Sequence, residues 1–274
     1  MTNEAGESEY ILGTDDGELA RLDFQHRVWS ASATSLWERA GVKLGAKVLD
    51  VGSGPGYCTL DLARLVGEHG RVHAVEVSER FISFLRARKT QQALTQVTTQ
   101  QADAQTMILP ENSFDIAYCR WVLCFLNDPA AAIARVAAAL RSGGRFAIHD
   151  YYLYTGVKLA PPCASFTRAV AAVNQSWKAS GGDPDIGQRL PQMLIRAGLQ
   201  IREVTPLVRI GRPGSMIFDW PPEFFRLYLP RLVANGFLAQ TDVDEYWRDL
   251  QAYREDSAAF LATPPMIEII AEKP

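Results

Sequence analysis

Val48–Ala63 reads VLDVGSGPGYCTLDLA, an apolar run followed by three glycines in five residues and then by regularly spaced leucines. With Ala46 and Lys47 before it the apolar run is β-rich, while Leu62, Leu65 and Val66 share one face at helical spacing. Strand, glycine turn and helix is the reading. RVHAVEV, residues 71–77, follows as a second short strand bounded by Gly70 and Ser78. Strands joined through helices stack side by side by right-handed crossovers, so this unit predicts a parallel sheet covered on both faces.

The rhythm continues outward. Ser78 is placed to cap a helix carrying Phe81, Ile82 and Leu85; TTQQAD (98–103) supplies a third strand and SFDIAYC (113–119) a fourth. Asp128 sits where an N-cap belongs, Pro129 at the first helical position, and Ile133, Val136 and Leu140 form a stripe that Gly143-Gly144 is expected to stop before RFAIHDYY (145–152), the fifth strand. Residues 45–152 thus form a doubly wound α/β core. Before it, residues 1–44 hold one or two helices with Leu19, Leu22, Val28 and Trp29 as apolar positions and Gly41 as the stop. After it, residues 153–210 hold a helix between Ala164 and Ala179, another in GQRLPQMLIRAG and a sixth strand in LQIREVTPLVRI. Residues 211–264 are polar and aromatic and predict a helical cap inserted before the final strand, MIEIIAEK, within 265–274. No internal repeat or low-complexity linker is visible, so one domain is expected, with the cap packed on the core.

A chain of 274 residues, 47% hydrophobic, is long enough for one large core. Its net charge of −3 and the lack of any run of basic residues argue against a nucleic-acid surface and for a small-molecule partner. No segment approaches the roughly eighteen apolar residues that span a bilayer. MTNEAGESEY lacks the basic and apolar regions of a signal peptide, which predicts a cytoplasmic protein, monomeric or homodimeric, without membrane partners. Cys58, Cys119, Cys124 and Cys163 form no CxxC pair and read as reduced thiols, mostly inside.

Ligands of open α/β sheets sit beyond the carboxyl ends of the strands, so the glycine loop is the place to look. Gly52, Gly54 and Gly56 can take positive φ and let backbone approach a ligand, although glycine loops also end strands for steric reasons alone. A pyrophosphate-binding G-x-G-x-x-G turn would need its third glycine where Tyr57 stands. Glu76, ending the second strand, is placed to accept from both hydroxyls of a ribose, each charge-assisted bond being worth roughly 1.5–3 kcal/mol. Asp103, ending the third strand, can accept from an adenine amine or serve as a turn former.

These motifs in this order resemble the class I S-adenosylmethionine-dependent methyltransferases, particularly the small-molecule branch related to ubiquinone and menaquinone biosynthesis enzymes. VLDVGSGPG is similar to the family's first motif, Glu76 lies at its second-strand acid, ADAQTMILPENSFDIAYCRWVLCFLNDP is similar to its third- and fourth-strand region and LRSGGRFAIHD to its fifth. The resemblance implies an α/β, doubly wound, mostly parallel seven-stranded Rossmann-like sheet with an N-terminal helical lid and a C-terminal helical cap insertion. It implies S-adenosylmethionine as cofactor and S-adenosylhomocysteine as product. The cofactor would lie against Asp50, Gly52, Ser53, Gly54 and Gly56 with its methionine end, Glu76 and Val77 with its ribose, and Asp103 and Ala104 with its adenine. Arg120 and Trp121 would line its wall, and Tyr10, in a YxLG-like segment, would join Arg21 and Gln25 as lid contacts. Two departures stand out. Many relatives carry histidines where this chain has Cys124 and Phe125, and their sheet closes with a tight hairpin where residues 211–265 intervene here.

No catalytic set is evident. His149, Asp150, Tyr151 and, on the N-terminal helix, His26 are candidates to orient or deprotonate an acceptor, each with a purely structural alternative. A dedicated base is dispensable, since a sulfonium already activates its methyl group and alignment can supply the rate. Trp177, Phe218, Trp220, Phe224, Phe225, Tyr228, Tyr246 and Trp247 either wall an apolar or aromatic acceptor pocket or pack the cap. No metal-ligand spacing appears. The rivals are a nicotinamide-dependent oxidoreductase and a non-catalytic S-adenosylmethionine-binding module.

Overall fold

The computed structural model describes residues 14–274; Tyr10 lies outside them. α1 (Asp16–Ala40) is one continuous helix, since neither glycine nor proline interrupts residues 18–40. The Asp15 carboxylate accepts the Glu18 amide at its start, and Gly41 ends it at a left-handed φ of 91°. The core then runs β1 (Lys47–Val51), α2 (Tyr57–Val66), β2 (Arg71–Glu76), α3 (Glu79–Gln91), β3 (Val97–Gln101), β4 (Phe114–Arg120), α4 (Pro129–Ala139) and β5 (Leu140–Tyr151). Beyond it come β6 (Lys158–Ala160), α5 (Ala164–Ala179), α6 (Leu190–Arg196), β7 (Gln200–Leu207), β8 (Ile210–Gly211), α7 (Met216–Ala234), α8 (Gln240–Glu255), β9 (Phe260–Ala262) and β10 (Met266–Glu272).

Seven strands form one sheet in the order β3-β2-β1-β4-β5-β10-β7. The first five pair in parallel, and β10 is antiparallel to both neighbours, β5 and β7. Strand order reverses between β1 and β4, which leaves a crevice at their carboxyl ends. Both sheet faces are covered, so β1 and β4 are buried nearly throughout. α1 serves both faces: Trp29 packs in the cluster that also holds Val51, Ile148 and Phe218, and Trp37 in the one with Val48, Leu62 and Tyr118. Each such buried side chain contributes roughly 1.5–3 kcal/mol. Arg39 of α1 pairs with Glu203 of β7 and Glu268 of β10, fastening the helix to the antiparallel edge.

Two expectations are corrected. Gly143-Gly144 does not stop α4, which ends at Ala139; Leu140 is already buried and paired with Phe114, and residues 141–144 bulge before Arg145 resumes opposite Ile116. The glycines serve the bulge, since a Cβ on Gly144 would stand 2.8 Å from the Arg141 carbonyl. The cap is not wholly helical: besides α7 and α8 it holds β9, which joins β6 of the preceding segment and β8 at the boundary in a second sheet, in the order β6-β9-β8. Strands of two or three residues are too short to show alternation. No described helix is long and apolar enough to cross a membrane.

Candidate functional site

The three loop glycines are there for different reasons. At Gly52, φ is +64° and a Cβ would stand 2.5 Å from Val122; at Gly56, φ is +87° and a Cβ would stand 2.3 Å from Leu85 of α3. Packing excludes a side chain at both. A Cβ on Gly54, at φ +55°, would meet nothing within 4 Å, because this residue faces a cavity of about 440 Å³. That size suits a small-molecule site. Gly52, Ser53 and Gly54 line the cavity, and Gly56 does not: it is the residue that lets α2 start against α3.

Glu76 stands across from this loop, 7% exposed. The Gly54 amide donates to one carboxylate oxygen at 2.8 Å and the Ser78 amide to the other at 3.0 Å. Burial pushes its pKa up, while the amides of Ser78, Gly54 and Val77 pull it back. A carboxylate has about four acceptor positions, so beside three amides a ribose hydroxyl can still be received. Asp50 lines the cavity but is committed to the Thr59 hydroxyl at 2.6 Å, and burial raises its pKa to about 6. Val77, Asp103 and Ala104 line the far end. Asp103 proves a turn former as well as a wall, taking the Gln105 amide at 2.8 Å and the Gln105 side chain at 3.0 and 3.1 Å.

Arg120 and Trp121 line the cavity from the end of β4. Trp121 sits at φ +52°, a strained conformation for a bulky residue, and its ring stacks on those of Tyr151 and Trp220 at 5.9 and 5.7 Å. Arg120 Nη1 and Trp121 Nε1 are buried without a partner among the described residues. From α1, Arg21 and Gln25 also face the cavity; Glu18 grips Arg21 through two bonds of 2.7 Å, and Gln25 Oε1 accepts from both Arg21 and Trp220.

The base candidates divide. His149 does not line the cavity: it is wholly buried, its Nε2 3.3 Å from the Met266 sulfur, its Nδ1 unpartnered among the described residues. Burial and Arg120 hold its pKa well below the ordinary value, so it stays neutral. Asp150, equally buried, accepts the Tyr151 and Cys124 amides and shapes the loop after β4. His26 lies behind the cavity wall, bonded to Asp61 at 2.9 Å. Only Tyr151 lines the cavity, joined by Tyr154, which nothing in the sequence singled out. Burial raises the pKa of both phenols, which makes them hydrogen-bond donors and not bases at neutral pH. Of the cap aromatics, Trp177, Trp220, Phe224 and Phe225 wall the cavity. Phe218, Tyr228 and Tyr246 pack the cap instead, and Trp247 is partly exposed. All four cysteines are buried free thiols. No three His, Cys, Asp or Glu among the described residues are grouped to hold a metal.

A 3-2-1-4-5 parallel half, an antiparallel strand inserted between β5 and the edge strand β7, a glycine turn and an acid at the next strand end make a Rossmann-like α/β fold of the kind seen in methyltransferases. Residues 49–148 match the methyltransferase domain family. The chain resembles the class I S-adenosylmethionine-dependent methyltransferases of the ubiquinone and menaquinone type. It is 30% identical over 155 residues to a ubiquinone/menaquinone biosynthesis C-methyltransferase of Teredinibacter turnerae, covering 54% of this chain and 62% of that protein. It is 36% identical over 103 residues to an aklanonic acid methyltransferase of a Streptomyces species, covering 38% of this chain and 47% of that protein. The chain thus spans only part of the length of these curated relatives. A methyltransferase structure from Aquifex aeolicus, described as dependent on S-adenosylmethionine, shares the fold with a TM-score of 0.54 and 21% identity, covering 70% of this chain and 92% of that one.

Proposed function

We propose that the chain is a methyltransferase that binds S-adenosylmethionine in the cavity and passes its methyl group by direct in-line displacement to a small, apolar or aromatic acceptor. The observation that carries the reading is Glu76, a buried carboxylate fixed by backbone amides opposite an open glycine, with acceptor capacity left for a ribose hydroxyl. Val77 joins Glu76 at the ribose, Asp103 and Ala104 then receive the base, and Ser53, Gly54, Arg120, Arg21 and Gln25 the amino-acid end. When bound, S-adenosylmethionine supplies a methyl group on a sulfonium and leaves as S-adenosylhomocysteine.

The chain's own part is alignment and exclusion of water. Trp121, Tyr151, Trp177, Trp220 and Phe224 enclose the acceptor side with aromatic rings, offering flat apolar surface, and Tyr151 and Tyr154 offer hydroxyl donors. Among the described residues no histidine lines this wall, which favours an acceptor that brings its own nucleophilicity.

Calorimetric titration with S-adenosylmethionine, S-adenosylhomocysteine and NADH under one condition is the test. Binding of the first two and not the third is expected; binding of NADH alone would overturn the reading in favour of an oxidoreductase. Glu76→Ala should weaken S-adenosylmethionine binding at least tenfold, about 1.4 kcal/mol. Unchanged affinity in a folded variant would remove Glu76 from the site.

A further inference from the structure

Behind the glycine loop, three side chains from α1 and α2 line up toward the cavity. Asp61 Oδ2 is 2.9 Å from His26 Nε2, and His26 Nδ1 is 3.8 Å from the sulfur of Cys58, which itself lines the cavity. Arg120 Nη2 stands 3.5 Å from the same imidazole, and the Tyr118 hydroxyl is 3.9 Å from the sulfur. Of these groups only Arg120 has a part in holding the cofactor. A carboxylate that orients an imidazole, which in turn faces a thiol, is the arrangement that activates nucleophilic sulfur.

We propose that Cys58 is a modification site: a thiol activated by His26 and Asp61 on the wall of the cofactor cavity, whose reaction with a small electrophile, such as a peroxide, closes that cavity to its cofactor. The closing step rests on the methyltransferase reading above; the activation of the thiol does not.

The charges around the sulfur favour this chemistry. Burial opposes a charge on His26, but the bond to Asp61 and the neighbouring sulfur outweigh both burial and the like charge of Arg120, and its pKa rises to about 9. At neutral pH the sulfur therefore faces an imidazolium from α1 and a guanidinium from β4, and both stabilise a thiolate. Asp61 on α2, itself paired with Arg64, answers the imidazolium; Tyr57 stacks on the His26 ring, and Asp50 on β1 and Tyr118 on β4 also pack around the cluster. With a peroxide, the thiolate attacks one oxygen; the S–O bond forms as the O–O bond breaks, and the leaving hydroxide takes the imidazolium proton and departs as water. Sulfur is oxidised to the sulfenic acid and peroxide is reduced. The three other cysteines, all buried, lie outside the cavity lining and serve as internal controls.

The experiment is alkylation of the whole protein by iodoacetamide, followed cysteine by cysteine by peptide mass spectrometry from pH 5 to 9, with and without S-adenosylhomocysteine. Cys58 should react at least tenfold faster at pH 7 than Cys119, Cys124 or Cys163. His26→Gln should slow Cys58 at pH 7 at least tenfold and leave the rates of the other three cysteines unchanged. Saturating S-adenosylhomocysteine should slow Cys58 at least tenfold, and peroxide should abolish calorimetric binding of S-adenosylhomocysteine until dithiothreitol restores it. A Cys58 rate no greater than the other cysteines, or one unchanged by His26→Gln in a folded variant, overturns the proposal. Calorimetric binding of S-adenosylhomocysteine without protection of Cys58 overturns the closing step. If S-adenosylhomocysteine does not bind at all, the function proposed above fails, whereas fast alkylation at low pH still supports an activated thiol.

Discussion

A glycine is the least informative letter of a motif until its surroundings are known. Gly52, Gly54 and Gly56 look alike in the sequence, yet a Cβ would strike Val122 at the first, Leu85 at the third and nothing at the second. All three have positive φ, worth about 1–2 kcal/mol against an L-residue. Gly56→Ala adds a collision with α3, so its stability loss should exceed that of Gly54→Ala by about 1–3 kcal/mol. Urea unfolding of the two variants checks this, and equal midpoints would show that Leu85 simply moves aside. Glu76 was legible because a strand-end acid after a glycine turn is a local pattern. Tyr154 was not, because its place on the cavity depends on packing against Trp177 of the later helix α5.

Caps were the most legible elements. Ser78 and Asp128 each accept from the amide three residues on, as their places before apolar stripes implied, because capping is settled within one turn of chain. Ser78 also couples element to site: its hydroxyl starts α3 while its amide donates to Glu76. Ser78→Ala should therefore cost about 1 kcal/mol of stability and weaken S-adenosylmethionine binding less than Glu76→Ala does, since the backbone donor survives. Thermal melting with calorimetry checks both. An affinity loss as large as that of Glu76→Ala would mean that the turn depends on the hydroxyl. The start of β5 and the β6-β9-β8 sheet were not legible. Both are fixed by partners distant in sequence, Leu140 by Phe114 and Lys158 by Ala262.

At the scale of the whole molecule, α1 ties lid, core and edge together through Trp29, Trp37, Arg39 and His26. His26 makes that tie depend on pH. Its pKa is raised from 6.5 to about 9 in the folded chain, so the folded state binds the proton more tightly than the unfolded one. That stability is fully present below pH 6.5 and is lost as pH rises through about 9, by a few kcal/mol at most. Melting temperature should fall across this window in the wild type and fall less in His26→Gln; parallel curves would exclude His26 as the cause. The sequence by itself determined the alternation of strands and helices from Lys47 to Tyr151, the glycine turn and Glu76, because periodicity, capping and turn chemistry act over a few residues. Only the tertiary structure decided that His149 is sealed in the core, that Asp103 is tied to Gln105, that Tyr154 and the Trp177–Trp220 wall meet across the cavity, and that His26, Cys58 and Asp61 fall into line. Those relations are set by how α1, α5 and α7 pack on the sheet, and packing between distant segments leaves no period in the chain.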